Sequence, residues 1–139
     1  MPWAVDPTPD GVLRHTQDDV ADWSAGREYQ FAVIDRAGGL VLGVAGLNCE
    51  RPKTPELHYW IRTDHARRGL TTEAGRALID WARDTLQVDR LTLWAGRDNA
   101  ASRRVAEKLG FTHLGPLHWR PEGGMGDFDA ESYALALEP

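Results

Sequence analysis

The chain has 139 residues, 42% of them apolar and 27% charged, with a formal net charge of −5. That length accommodates one core, residues 1–139 forming a single domain, and the composition is that of a soluble globular protein, neither a disordered tail nor a membrane protein. Sixteen Lys and Arg against twenty-one Asp and Glu disfavour general attraction to nucleic acid or to an anionic membrane.

The opening MPWAVDPTPDG carries three of the eight prolines and neither a basic nor an apolar leader segment. Irregular backbone and a cytoplasmic location are expected. The single cysteine, Cys49, excludes an intrachain disulfide and suits a reducing compartment. Residues 16–23 predict a short helix with Thr16 as N-cap, Val20 and Trp23 about one turn apart, and Gly26 past its end. YQFAVID, residues 29–35, and LVLGVAGLN, residues 40–48, predict a hairpin reversing at Gly38-Gly39. ELHYWI, residues 56–61, follows Pro52 and Pro55 and reads as a third strand from its aromatic and branched side chains.

From Thr72 to Leu86 the period becomes helical, with Ala74, Ala77, Leu78, Trp81 and Thr85 on one side and Glu73, Arg76, Asp80 and Asp84 on the other. RLTLWAG, residues 90–96, is a strand that turns Leu91 and Leu93 to one face; Asn99 or Asp98 then caps a second helix ending at Leu109, with Gly110 beyond. Residues 111–117 and 130–138 predict two last strands joined through EGGMGD. The expected fold class is α+β, a mixed, mainly antiparallel twisted sheet flanked by helices, with at least one parallel pair across the strand–helix–strand crossover. His15, His58, His65, His113 and His118 lack close ligand spacing, so no metal is expected.

The stretch richest in chemistry is residues 56–82, in which a strand passes through a loop holding Arg62, Arg67 and Arg68 into a long helix. The free N–H groups at that helix start can face the loop and hold a pyrophosphate. The arginines fit a small phosphorylated ligand better than a nucleic-acid face. The segment has too little glycine for a dinucleotide fingerprint, and GLTTEA lacks the Gly-Lys-Ser/Thr end of a P-loop.

Taken together, ELHYWI, RRGLTTEAGRALIDWA and DNAASRRVAEKLGF resemble, in order, the splayed strand, the pyrophosphate loop with its helix, and the second cofactor motif of the GCN5-related N-acetyltransferases, especially the RimJ/RimL-like branch. The resemblance implies an acetyl-CoA-dependent acyltransferase acting on a primary amine of a protein N-terminus or small molecule, by direct attack on the thioester. The family's loop pattern lands on Ala66, Arg67, Arg68, Gly69 and Thr71; Ala66 and Thr71 depart from it, which implies weaker or rearranged phosphate binding, with Arg67 or Arg68 in place of the missing donor and Thr71 as a helix cap. The family also implies that the backbone at Trp60, Ile61 and Arg62 pairs with the pantetheine. Amides from Arg67 through Gly69, Leu70, Thr71 and Thr72 would face the pyrophosphate, and Asn99 and Ser102 would approach the pantetheine or the leaving sulfur.

Glu56 is the preferred proton acceptor, with His58 on the same strand face second and Glu50 third. The tyrosine that many relatives use as thiolate acid is replaced here by Ala106, leaving Ser102 or solvent to protonate the thiolate. Cys49 reads as a small buried side chain rather than a nucleophile, and Trp23, Trp60, Trp81, Trp94 and Trp119 as core or pocket walls. Only 28 residues precede the region of resemblance at Tyr29, so the acceptor side is expected to be shortened or completed by a homodimer partner. A catalytically weak acyl-CoA-binding or interaction module is the competing expectation.

Overall fold

The structure, a computed structural model, describes residues 18–62, 69–119 and 128–138, with backbone alone at 118, 119 and 128. Helical residues 18–25, α1, lead into strands β1 (Glu28–Ile34), β2 (Val41–Asn48) and β3 (Glu56–Ile61). Helix α2 (Leu70–Trp81), strand β4 (Arg90–Gly96), helix α3 (Ala100–Lys108), and strands β5 (Thr112–Trp119) and β6 (Phe128–Ala136) follow. One six-stranded sheet has the order β1-β2-β3-β4-β6-β5. Every neighbouring pair is antiparallel except β3–β4, the parallel pair expected from the crossover through α2.

Alternation decides the two faces. Tyr29, Phe31, Ala45, Leu47, Leu57, Leu91, Leu93 and Tyr133 belong to the face on which Leu78, Ile79 and Ala82 from α2 and its extension, and Ala106 and Leu109 around α3, complete the core. Leu47, Leu57, Leu91 and Tyr133 are at most 1% exposed, and burial of each large side chain contributes about 1.5–3 kcal/mol before entropy is counted. Trp23 of α1, still partly exposed, sets its ring edge-on to Tyr29 and to Phe31, each at 5.0 Å, and Trp81 of α2 joins the cluster. No helix among the described residues is long and apolar enough to cross a membrane.

The hairpin turn is present between β1 and β2, with Gly39 at φ 69°. Asp35 braces it: its carbonyl accepts from the Gly39 N–H at 2.9 Å and its carboxylate from the Ala37 N–H at 3.1 Å. Gly26, at φ 73°, stands just past α1. The expected cap Thr16, His15, the loop from Thr63 to Arg68 and the EGGMGD connection lie outside the described residues.

Helix α2 starts two residues before the expected Thr72 and continues into a π-helical turn, Ala82–Leu86, that ends at Gln87 with φ 56°. Its buried stripe is Gly75, Leu78, Ile79 and Ala82, whereas Ala77 and Thr85, expected on the apolar side, are exposed. The cause is double packing. Helix α2 rests on the sheet and on α3 together, and Gly75 sits so close to Leu109 that an added Cβ would be 2.7 Å from a methyl carbon. The last strands are also displaced from the expected 111–117 and 130–138, because their ends follow the ladders from Trp119↔Phe128 to Thr112↔Ala134 and, on β4, Arg90↔Ala136.

Strand β2 approaches β3 so tightly that a Cβ on Gly43 would fall 1.9 Å from the Trp60 carbonyl oxygen and 2.9 Å from the Ile61 Cα. Backbone atoms cannot swing aside as side chains do. Gly43→Ala is therefore expected to lower stability by about 2–3 kcal/mol, read as a reduced denaturation midpoint in urea at unchanged m-value.

Candidate active site

The parallel pair β3–β4 meets at a single register position, Glu56↔Thr92, where the Thr92 N–H donates to the Pro55 carbonyl at 2.9 Å. Toward Ile61 and Gly96 the strands diverge and no further pairing joins them, so the sheet opens into a wedge. On the β2 side the ladder is intact, with Arg62 N–H donating to Leu42 O at 2.7 Å and partners running back to Asn48↔Glu56. Antiparallel bonds alternate along a strand, so Trp60 and Arg62 turn their backbone groups to β2 while those of Tyr59 and Ile61 face the wedge. Of the three residues expected to offer backbone groups, Trp60, Ile61 and Arg62, only Ile61 turns them toward the wedge, as does Tyr59.

Both strands of the wedge run the same way and each is followed by a helix, which brings the N-termini of α2 and α3 to its open end. Helix α2 has Gly69 as its N-cap at φ 72°, a conformation glycine adopts without a Cβ penalty, and no side chain caps it among the described residues. The first-turn amides of Leu70, Thr71 and Thr72 precede the first helical bond, from Glu73 N–H to Gly69 O, and their dipole favours an anion. Thr71, expected to cap the helix, lies within its first turn because the chain turns two residues earlier, at Gly69. Arg67 and Arg68 lie outside the described residues.

Helix α3 is capped by Asn99, as expected, its Oδ1 accepting from Ser102 N–H at 3.0 Å. Tyr59 reaches across from β3: its hydroxyl donates to the Ser102 carbonyl at 3.1 Å and lies 3.1 Å from Ser102 Oγ. Burial pushes the phenol pKa up, although the Ser102 hydrogen bond pulls the other way. Sequence reasoning missed Tyr59, because only the folded chain shows that a β3 side chain meets α3.

The sheet's opposite face carries the acid–base groups. One row of register partners crosses Glu28, Asn48, Glu56 and Thr92, and the next crosses Gln30, Gly46 and His58. Gly46 makes room for the imidazole, since a Cβ there would lie 2.7 Å from its Cε1. His58 extends over that glycine to hydrogen-bond Glu28 on β1. Glu56, at the apex of the wedge, accepts a hydrogen bond from the Trp94 side chain. Burial pushes its carboxyl above the usual range, and Glu28 and Glu50 add to the rise; the Trp94 bond and the nearby His58 oppose it.

Of the three proton-acceptor candidates, Glu56 and His58 thus stand together on one face, while Glu50 is exposed at the end of β2. Glu28, Gly46 and the Trp94 bond were not singled out from sequence. Period-two alternation places them on a face, but only the register across three strands makes them neighbours. Ala106 is fully buried in the core, and Cys49 is buried with its thiol pKa raised by burial and by Glu28. Trp60 is exposed beside His58 on β3, and Trp94 is half-buried. The side chains of His118 and Trp119 are not described. No group of three or more His, Cys, Asp or Glu residues that could hold a metal ion occurs among the described residues.

Residues 1–112 match the family model described as an acetyltransferase (GNAT) domain. The Bacillus subtilis protein YdaF, named for ribosomal N-acetyltransferase activity, is 37% identical over 60 residues, which cover 43% of this chain and 33% of YdaF. The aligned stretch therefore spans about a third of the curated relative. Among solved structures, the microcin C7 self-immunity acetyltransferase MccE in complex with acetyl-CoA and AMP aligns with a TM-score of 0.84 at 20% identity, over 99% of this chain and 77% of that one. RimL, the ribosomal L7/L12 α-N-protein acetyltransferase in complex with coenzyme A, aligns at 0.81 and 21% identity, over 94% and 73%. Likeness at that identity establishes the shared architecture, and the extent of the family match establishes descent: the chain belongs to the GNAT acetyltransferase family.

Proposed function

We propose that this chain is a cytoplasmic, single-domain N-acetyltransferase moving acetyl from acetyl-CoA directly to a primary amine, carried by a protein N-terminus or a small molecule. The observation that carries the reading is the wedge between β3 and β4, with helix N-termini at its mouth and the half-buried Glu56 carboxylate at its apex. The pyrophosphate lies against the amides of Gly69, Leu70, Thr71 and Thr72, with Arg67 and Arg68 adding charge. The pantetheine pairs with the open edge at Tyr59 and Ile61, beside Asn99 and Ser102. Trp60 contributes its exposed side chain to the acceptor face.

In the reaction the amine nitrogen bonds to the thioester carbonyl carbon and the carbon–sulfur bond breaks, its electron pair leaving with sulfur. Glu56 takes the proton that nitrogen loses. A carboxylate with a raised pKa is the stronger base, and the Trp94 hydrogen bond holds it in place. His58, tied to Glu28, stands beside it as the second proton acceptor. Ser102 donates to the departing sulfur, whose ordinary thiol pKa near ~8.5 allows protonation from solvent. RimL, by its name, acts on a protein N-terminus, which supports that acceptor class; the acidic set Glu28, Glu50 and Glu56 suits a cationic amine.

Amine-dependent release of CoA by the purified protein tests the reading; acetyl-CoA binding without release under a broad panel of amines would favour a binding module instead. Glu56→Gln should keep acetyl-CoA affinity and lower the rate on the order of 10²-fold, removing the acid limb of the pH–rate profile. A selective rate defect in H58A with an unaffected E56Q would transfer the base role to His58. The same E56Q substitution should stabilise the fold. Burial raises the folded-state pKa above the unfolded one, so the stability Glu56 provides in acid is lost as pH rises through the folded value. E56Q should thus melt higher than wild type at pH 7–8, with the gap closing as pH falls below the ordinary glutamate range.

The proposed site is anionic-ligand-binding at one end, and the R67A/R68A variant titrated with acetyl-CoA at several salt concentrations measures the arginine share. Unchanged affinity and salt slope would assign the phosphates to backbone amides alone. We propose further that the chain forms a homodimer, supported by the edge position of β1 and β5 among the described residues and by exposed Leu114 and Leu117 on β5. Light scattering should give twice the monomer mass at micromolar concentration, and a monomer throughout would exclude it.

A further inference from the structure

We infer that Tyr59 is a positioning residue for the leaving sulfur, acting through Ser102; the inference rests on the role proposed for Ser102 above. The geometry is a clasp across the mouth of the wedge. Three polar atoms of Ser102 are engaged at once: its N–H with Asn99 Oδ1 at 3.0 Å, and its carbonyl oxygen and Oγ with the Tyr59 hydroxyl, each at 3.1 Å. A lone serine hydroxyl turns to whichever partner is nearest, whereas one fixed by a second hydroxyl has its hydrogen directed.

Ala106, one turn further along α3, is fully buried in the core and has no polar side-chain atom. The phenol comes from the facing wall, on β3. Tyr59 packs its ring against the core and brings only its oxygen to the helix start. Its single hydrogen has two acceptors within reach. Bonded to the carbonyl, it leaves the phenol oxygen to accept the serine hydrogen; bonded to Oγ, it frees the serine hydrogen for another acceptor. As the carbon–sulfur bond breaks, negative charge gathers on sulfur and favours the second arrangement, in which Tyr59 donates to Ser102 and Ser102 to sulfur. No proton leaves Tyr59 in this step, and the thiolate afterwards takes its proton from water. Burial keeps the phenol protonated and so preserves the donor.

The test is a double-mutant cycle read in two ways. Y59F keeps the ring and removes the hydroxyl; it should lower kcat about tenfold at unchanged acetyl-CoA affinity, and should have no further effect in the S102A background. The second measurement needs no turnover: the thiol of bound CoA, titrated by its thiolate absorbance, should have a higher pKa in Y59F and in S102A than in wild type, and no higher still in the double variant. Fluorotyrosine incorporated at position 59, a stronger donor of nearly the same shape, should shift that pKa the opposite way. Additive losses in the double variant, a Y59F that titrates like wild type, or a Y59F that loses acetyl-CoA affinity would each overturn the inference. Failure of acetyl transfer itself would show separately, as absence of CoA release by wild type, because the titration of bound CoA reads the clasp without catalysis.

Discussion

A single rung of backbone pairing between β3 and β4 governs this protein. Parallel strands joined along their length would bury their inner edges in each other, and the sheet would close. Here the ladder is limited to Glu56↔Thr92, sealed by the Thr92 bond to Pro55, and the edge of β3 beyond it stays free of β4. The strands are nevertheless held in one sheet: β3 is fastened to β2 over its whole length and β4 to β6 over its whole length. The opening is therefore rigidly bounded on both sides, which is what a site for an extended ligand requires.

Close approach elsewhere keeps the wedge in shape. Gly43 lets the β2 backbone press against Trp60 and Ile61, so the outer part of β3 follows β2 instead of turning back to β4. Gly75 lets α2 settle against Leu109, setting the spacing of the two helices whose starts face the opening. Tyr59 then joins β3 to α3 across the gap. These contacts are short and unforgiving, and they fix a distance between elements that the sheet's own hydrogen bonds leave unset.

Charge is divided between the two sides of the sheet. Amide donors at the helix starts give the mouth of the wedge a positive character, while the other face gathers Glu28, Glu56 and His58 around the apex, with the exposed Glu50 adding its charge from beyond β2. The reaction proposed for this fold needs both, an anion held at one end and a proton removed from an amine at the other. A net charge of −5 says nothing of such a division, since it averages over the two.

Local order was legible in the sequence. Apolar alternation together with aromatic and branched side chains marked six strands in sequence, glycines at 26 and 39 marked the turns, Asn99 marked a helix start, and the strand–helix–strand order required a parallel pair. Glu56 and His58 were placed on one face by alternation alone. What the chain order could not contain is register. That His58 spans Gly46 to Glu28, that Trp94 bonds Glu56, and that Tyr59 meets Ser102 from 43 residues away each depend on which rung of one strand faces which rung of another. The burial stripe of α2 and the ends of β5 and β6 shifted for the same reason, because neighbouring elements, not the local period, decide where contact falls. The sequence by itself determined the elements, their order and the family's motifs, since these follow from backbone propensity and spacing along the chain. Only the tertiary structure decided the width of the wedge, the environment that raises the Glu56 pKa, and the pairing of Tyr59 with Ser102, since each is a distance between segments that covalent order leaves free.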